Sequence, residues 1–149
     1  MKTKNFILAW FSSFLACFSL GYLWHDNFMS NFYIENSERM ANPAIDISIL
    51  SIAYVIVTFL MTFLYTNMKK SRRPLLDGLF LGLVTGLLWS LPSPLVDVAF
   101  GVGISPSGIF IDSAWQMIEE GIGGIVMAWS YQYISLRSKT KTIIYNPPL

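Results

Sequence analysis

Long apolar stretches alternate with short polar ones along this chain, and the positions of Asp, Glu, Lys and Arg mark where each stretch stops. No formal charge falls between Lys4 and Asp26, a gap filled by FILAWFSSFLACFSLGYLW. None falls between Asp46 and Lys69, across ISILSIAYVIVTFLMTFLYTNM, and Asp77 and Asp97 enclose a third gap, GLFLGLVTGLLWSLPSPLV. A fourth stretch, from about Ile109 to Leu136, is interrupted by Asp112, Glu119 and Glu120. A helix that crosses a bilayer needs about 20 mainly apolar residues. The stretches lack the two-residue alternation of a barrel strand, and in lipid only helices and closed barrels satisfy the backbone. The pattern therefore predicts an all-α integral membrane bundle of four transmembrane helices in one domain. The spans are 5–24, 45–66, 75–91 and 109–136, with outer loops 25–44 and 92–108 and a cytoplasmic loop 67–74.

Orientation follows from the basic residues. Lys2 and Lys4 precede the first span, Lys69, Lys70, Arg72 and Arg73 lie between the second and third, and Arg137, Lys139 and Lys141 follow the fourth. Nine of the ten basic residues thus fall on one side, Arg39 being the exception. The excess of Lys and Arg on cytoplasmic loops places both termini and the middle loop in the cytoplasm of a bacterial inner membrane. The first span is read as a retained helix, because it is longer than a signal-peptide core and has no small-x-small cleavage site.

The connections are read in the same way. In the first outer loop Phe28, Phe32 and Tyr33 recur near helical spacing, which predicts a short interfacial helix before the Asn42-Pro43 break. The second outer loop opens with Pro92 and Pro94 but stays apolar to Ile104, which predicts an irregular segment in the interface or folded into the mouth of the bundle. Asp46 and Asp77 open the second and third helices, where a carboxylate complements the N-terminal dipole. The five tryptophans fall mostly toward span ends, as in interfacial belts.

Composition narrows the classes. Of 149 residues 54% are hydrophobic, 15% aromatic and 13% charged, against about 25% charged in soluble domains. Mean hydropathy is +0.51. The net charge of +1 does not suit a nucleic-acid binder. One cysteine and one histidine leave no disulfide framework and little for a metal site, so no metal and no cofactor is expected.

Small residues recur every four positions on two helices: Gly78, Gly82 and Gly86, with Ser90 next, and Ala9, Ser13, Cys17 and Gly21. Such faces let helix backbones approach closely. Packing within the bundle and the seam of a homo-oligomer are both open uses of them, and membrane lipid is the surrounding partner.

The candidate chemistry lies on the fourth span. Asp112, Gln116, Glu119 and Gly123 are spaced four, three and four apart and share one helical face, with Glu120 beside it. An acidic side chain at mid-membrane costs about 2.5–3.5 kcal/mol on insertion scales, so an intramembrane carboxylate pair implies a shared proton, a cation or interhelical hydrogen bonds. His25-Asp26, at the outer end of the first span, is the second candidate, as a proton relay, as a metal site shared with Asp112, or as a helix cap and head-group anchor. No glycine-rich nucleotide loop or nucleophile elbow is present, and no catalytic residue is assigned. Three functions stay open: binding or movement of a small solute or cation through Asp112, Gln116, Glu119 and Glu120, a noncatalytic scaffold or accessory subunit, and a small membrane enzyme acting on a lipid-soluble substrate.

Gly21-Tyr22-Leu23-Trp24 at the end of the first span, and Gly108-Ile109-Phe110-Ile111-Asp112 running into GIGGIVMAW, resemble the small bacterial four-helix membrane proteins grouped as domain of unknown function 1761. The resemblance implies the four-helix architecture, with a Gly-x-x-Trp end to the first helix and an Asp near the start of the last. It implies no activity, and it covers neither Glu119-Glu120 nor His25-Asp26.

Overall fold

The computed structural model describes residues 3–32, 47–101 and 105–145, and among them all regular structure is helical. Helix α1 spans Thr3–Tyr22 and runs on through a π-helical turn, Leu23–Phe28. Helix α2 is Ile47–Asn67, α3 is Pro74–Ser90, α4 is Pro92–Ala99 and α5 is Pro106–Tyr145. Three stretches are long and apolar enough to cross a membrane: Thr3–Phe28, Ile47–Asn67 and Pro74–Ala99. Helix α5 is longer than any of them at 40 residues.

The helices run up and down. Ala9, Met61, Tyr65, Met127 and Ala128 form one fully buried cluster, so the start of α1, the end of α2 and the later part of α5 share one end of the bundle, the lower end. Tyr65 also donates a 3.2 Å hydrogen bond to the carbonyl of Pro74, which brings the start of α3 to the same end. The Tyr65 and Tyr131 rings hold the ammonium of Lys70 at 4.7 and 5.2 Å. Asp77 accepts a 2.7 Å bond from the Ser71 backbone N–H, so this first-turn carboxylate also fastens the preceding loop.

Large apolar side chains point outward and many polar ones point inward, the reverse of a soluble domain. Ile7, Phe11, Ile52, Leu60, Phe80, Leu88 and Phe110 are exposed, whereas Ser13, Thr58, Thr62, Gln116, Glu119 and Glu120 are buried. Three buried hydroxyls bond the helix they stand on: Thr58 to the Tyr54 carbonyl, Thr62 to that of Thr58, Ser90 to that of Gly86. Such bonds satisfy a hydroxyl that finds no water.

Both small-residue stripes pack inside the chain, against α5. A methyl on Gly82 would overlap the carbonyl of Glu120, one on Gly86 that of Gln116, and one on Gly78 that of Gly124. On the other flank, Ala9, Ser13, Cys17 and Gly21 of α1 are all buried, and a methyl on Gly123 would overlap the Cys17 sulfur. Without a side chain in the way, α3 lies backbone to backbone on α5, gaining dispersion contacts where lipid supplies no hydrophobic drive.

The segment after Ser90 differs from the irregular loop that its prolines predict. It is the short helix α4, because Pro92 stands at its first position, where the missing N–H leaves nothing unsatisfied. A positive φ of 72° at Gly101 follows it. Helix resumes at residues 30–32 after the π-helical turn. The rest of the interfacial segment through Asn42-Pro43, and Asp46, lie outside the described residues.

The α3–α5 contact predicts an asymmetric response to small changes. Gly82→Ala forces the helices apart and lowers stability by about 1–3 kcal/mol, the usual cost of overpacking. Val84→Ala, on the lipid-facing side of α3, stays within about 0.5 kcal/mol. Thermal unfolding of both variants in micelles, followed by circular dichroism, measures the difference.

Candidate functional site

Helix α5 brings Asp112, Gln116, Glu119 and Glu120 onto one flank, and α1, α2 and α3 close over it. Glu119 and Glu120 are each 0% exposed. They stand near the middle of the apolar length of the bundle, and Glu120 carries the backbone carbonyl against which Gly82 packs.

Each carboxylate has one oxygen held and one left over. Glu119 Oε2 accepts a 2.8 Å bond from the indole N–H of Trp115, one turn earlier on the same helix. Glu120 Oε2 accepts a 3.3 Å bond from the thiol of Cys17 on α1. That sulfur also lies 4.0 Å from the Glu119 carbonyl. The Oε1 atoms of Glu119, Glu120 and Gln116 are buried without a hydrogen-bond partner. From α2, the hydroxyl of Tyr54 faces Glu119 and Gln116, within hydrogen-bonding reach of both side chains. It presses so closely on Gly21 that no methyl would fit there.

The described lysines and arginines whose side chains are placed, Lys4 and Lys69 to Arg73, belong to the lower end. Two neighbouring carboxylates therefore lie in an apolar interior with neutral donors alone around them. An unpaired buried charge is costly, which makes the site one that asks for a positive partner.

At the upper end, His25 Nε2 lies 3.8 Å from Asp112 Oδ1. The π-helical turn carries His25 to this position, and beside it Trp24 stacks on Trp115 with ring centroids 4.1 Å apart and planes 4° from parallel. Of the sequence candidates, Asp112, Gln116, Glu119, Glu120 and His25 thus fall along one path. Asp26 does not, being exposed and turned toward Tyr22. Periodicity alone does not reveal Cys17, Tyr54 and Trp115 as neighbours of the carboxylates. Only Trp115 left a readable signal, its spacing of four from Glu119. Among the described residues, no group of three His, Cys, Asp or Glu side chains is placed to hold a metal ion.

Two grooves on the bundle surface are apolar and lie away from the carboxylates. One of about 430 Å³ is lined by Leu64, Asn67, Met68, Phe80, Leu81 and Val84. The other, of about 190 Å³, lies between α1 and α2 beside Trp10 and Val55.

Cys17 gives a direct check on this packing, since it is the chain's single cysteine and is buried against Gly123 and Glu120. A maleimide leaves it unmodified in the folded protein in micelles and reacts fully once the chain is denatured in dodecyl sulfate. Rapid labelling of the folded protein, read by mass spectrometry, would mean that α1 does not cover α5 in this way.

No family model, curated protein or solved structure matches the chain, so its function is argued from its own residues.

Proposed function

We propose that this is a multi-pass protein of a bacterial inner membrane that binds and moves a small cation through the carboxylate pair of α5. One observation carries the reading: Glu119 and Glu120 are fully buried, each with an unpartnered oxygen, and no placed cationic side chain offsets them. Intramembrane carboxylates that face the interior of a bundle mark ion and proton pathways, because their insertion cost must be offset.

In this reading α5 is the fourth span, its polar flank covered by the three apolar helices and its apolar side, with Ile118, Ile122 and Trp129 exposed, turned to lipid. The lower end, with Lys4 and the Lys69–Arg73 loop, is cytoplasmic by the positive-inside rule, and both termini with it. Self-association belongs to the same reading. One surface open to it is the exposed face of α2, Ile49, Ile52, Ile56, Leu60 and Phe63, since the small-residue stripes are used within the chain.

Replacing both glutamates tests the proposal. In vesicles containing Glu119→Gln/Glu120→Gln protein, cation- or proton-driven signals from a dye trapped in the lumen fall to the level of empty vesicles. Cys17 stays protected from maleimide, which shows that the bundle is intact. If the folded double variant behaves as wild type, the carboxylates are structural and a scaffold role replaces transport.

A further inference from the structure

We propose that the species taken up by the carboxylate pair is a proton, and that in the conformation seen here it enters and leaves through the upper end of the bundle, by way of Gln116, Asp112 and His25. This rests on the carboxylate reading above and sharpens it.

The geometry around Glu119 suits a proton and opposes a metal cation. Trp115 presents an N–H to Glu119 Oε2, and an indole nitrogen can only donate. A cation at Glu119 would face that positive hydrogen and would have to displace it. A hard cation such as calcium wants six or more oxygens, whereas the side-chain oxygens left over along this flank of α5 are Oε1 of Glu119, Glu120 and Gln116 and Oγ of Ser113. Space is short as well, because a methyl at Gly21 would already overlap the Tyr54 hydroxyl and stand 3.1 Å from Glu119 Oε1. A hydrated ion needs at least the volume of a water molecule, about 30 Å³ in the liquid, whereas a proton on a free Oε1 needs none.

Access is graded along α5. Glu119 and Glu120 are 0% exposed, Gln116 5% and Ser113 6%, and the side chains of Asp112 and His25 are 24% and 15% exposed. Polar atoms thus continue from the pair to the surface in one direction. In the other direction the polar groups are spent on backbone. Ser13 donates to the Gly123 carbonyl, and Thr58 and Thr62 bond their own helix. Beyond them the interior is the closed cluster of Ala9, Met61, Tyr65, Met127 and Ala128, all 0% exposed.

The titratable groups facing the path are Cys17 and His25 from α1 and its π-helical turn, Tyr54 from α2 and Asp112 from α5; Tyr22 and Asp26 turn toward each other outside it. From α3, glycine backbone and the side chains of Leu79 and Leu83 meet α5.

The test is infrared spectroscopy of the full chain in phosphatidylcholine vesicles. Trypsin access to the Lys69–Arg73 loop sorts the two orientations, and pH is stepped on one side with an impermeant buffer. The expected result is a protonated-carboxyl band, missing from Glu119→Gln/Glu120→Gln protein, that follows a pH step on the His25 side at once, follows one on the Lys70 side only as slowly as protons cross the vesicle membrane, and is unmoved when choline replaces sodium or potassium. In Trp115→Phe the band moves to the frequency of a carboxyl with one hydrogen bond fewer, a shift that a merely structural Trp115 would not produce. An equally prompt response from the Lys70 side, or a midpoint that depends on sodium or potassium, overturns this inference and leaves the carboxylate reading standing. A titration without any band belonging to Glu119 or Glu120, in protein whose Cys17 is protected, overturns both.

Discussion

A helix with two glutamates in its middle cannot lie bare against hydrocarbon, and the rest of the bundle follows from covering it. Asp112, Gln116, Glu119 and Glu120 give α5 a polar flank, and α3 and α1 present to α5 the residues that let them come closest. Glycines of α3 touch the carbonyls of Gln116, Glu120 and Gly124. Helix α1 offers Ala9, Ser13, Cys17 and Gly21. Since small residues occupy the inner faces, the large apolar ones are left outside, where lipid receives them at no cost. The outward-facing Ile, Leu and Phe residues and the inward-facing carboxylates are thus two consequences of one constraint.

The bundle is also polarised along its axis. Its lower end closes on packed Met, Ala and Tyr side chains, and Lys70 lies over the Tyr65 and Tyr131 rings, a cation–π arrangement that holds the loop against the end of α5. Its upper end is built differently. The widened π-helical turn re-aims Trp24 and His25 so that one stacks on Trp115 and the other meets Asp112. Single π-turns are rare and are frequent at functional sites. Here the turn joins α1 to the same helix that carries the carboxylates, and Trp115 links the stack directly to Glu119.

Much of the helix layout was legible because lipid makes charge placement informative. The gaps between charged residues predict spans 5–24, 45–66 and 75–91, and the helices run Thr3–Tyr22, Ile47–Asn67 and Pro74–Ser90. The fourth helix starts at Pro106 and continues to Tyr145, beyond the predicted 136, because nothing after Gly124 breaks it and a helix can run on into water. Helix α4 was not legible, since proline reads as a breaker although it is tolerated in a first turn. The shared face of Asp112, Gln116 and Glu119 was readable from spacing. The groups that meet it from α1 and α2 were not, because Cys17 and Tyr54 reach the glutamates through packing between helices that periodicity does not specify. Cys17, legible as a small packing residue, packs as expected and also donates to Glu120.

The three helices around α5 do not hold it equally. Helices α3 and α1 lie on it through backbone and small side chains, contacts that leave little freedom. Helix α2 is set apart by apolar grooves on both flanks, one beside Leu81 and Val84 of α3 and one beside Trp10 and Phe14 of α1. Its aromatic contacts, Phe59 edge-on to Phe6 and Trp10 and Tyr54 edge-on to Phe18, tolerate sliding better than interlocked glycines do. Tyr54 is also the α2 residue that faces Glu119. A small displacement of α2 would therefore change what surrounds the carboxylate more readily than one of α1 or α3, whose contacts with α5 are backbone and small side chains.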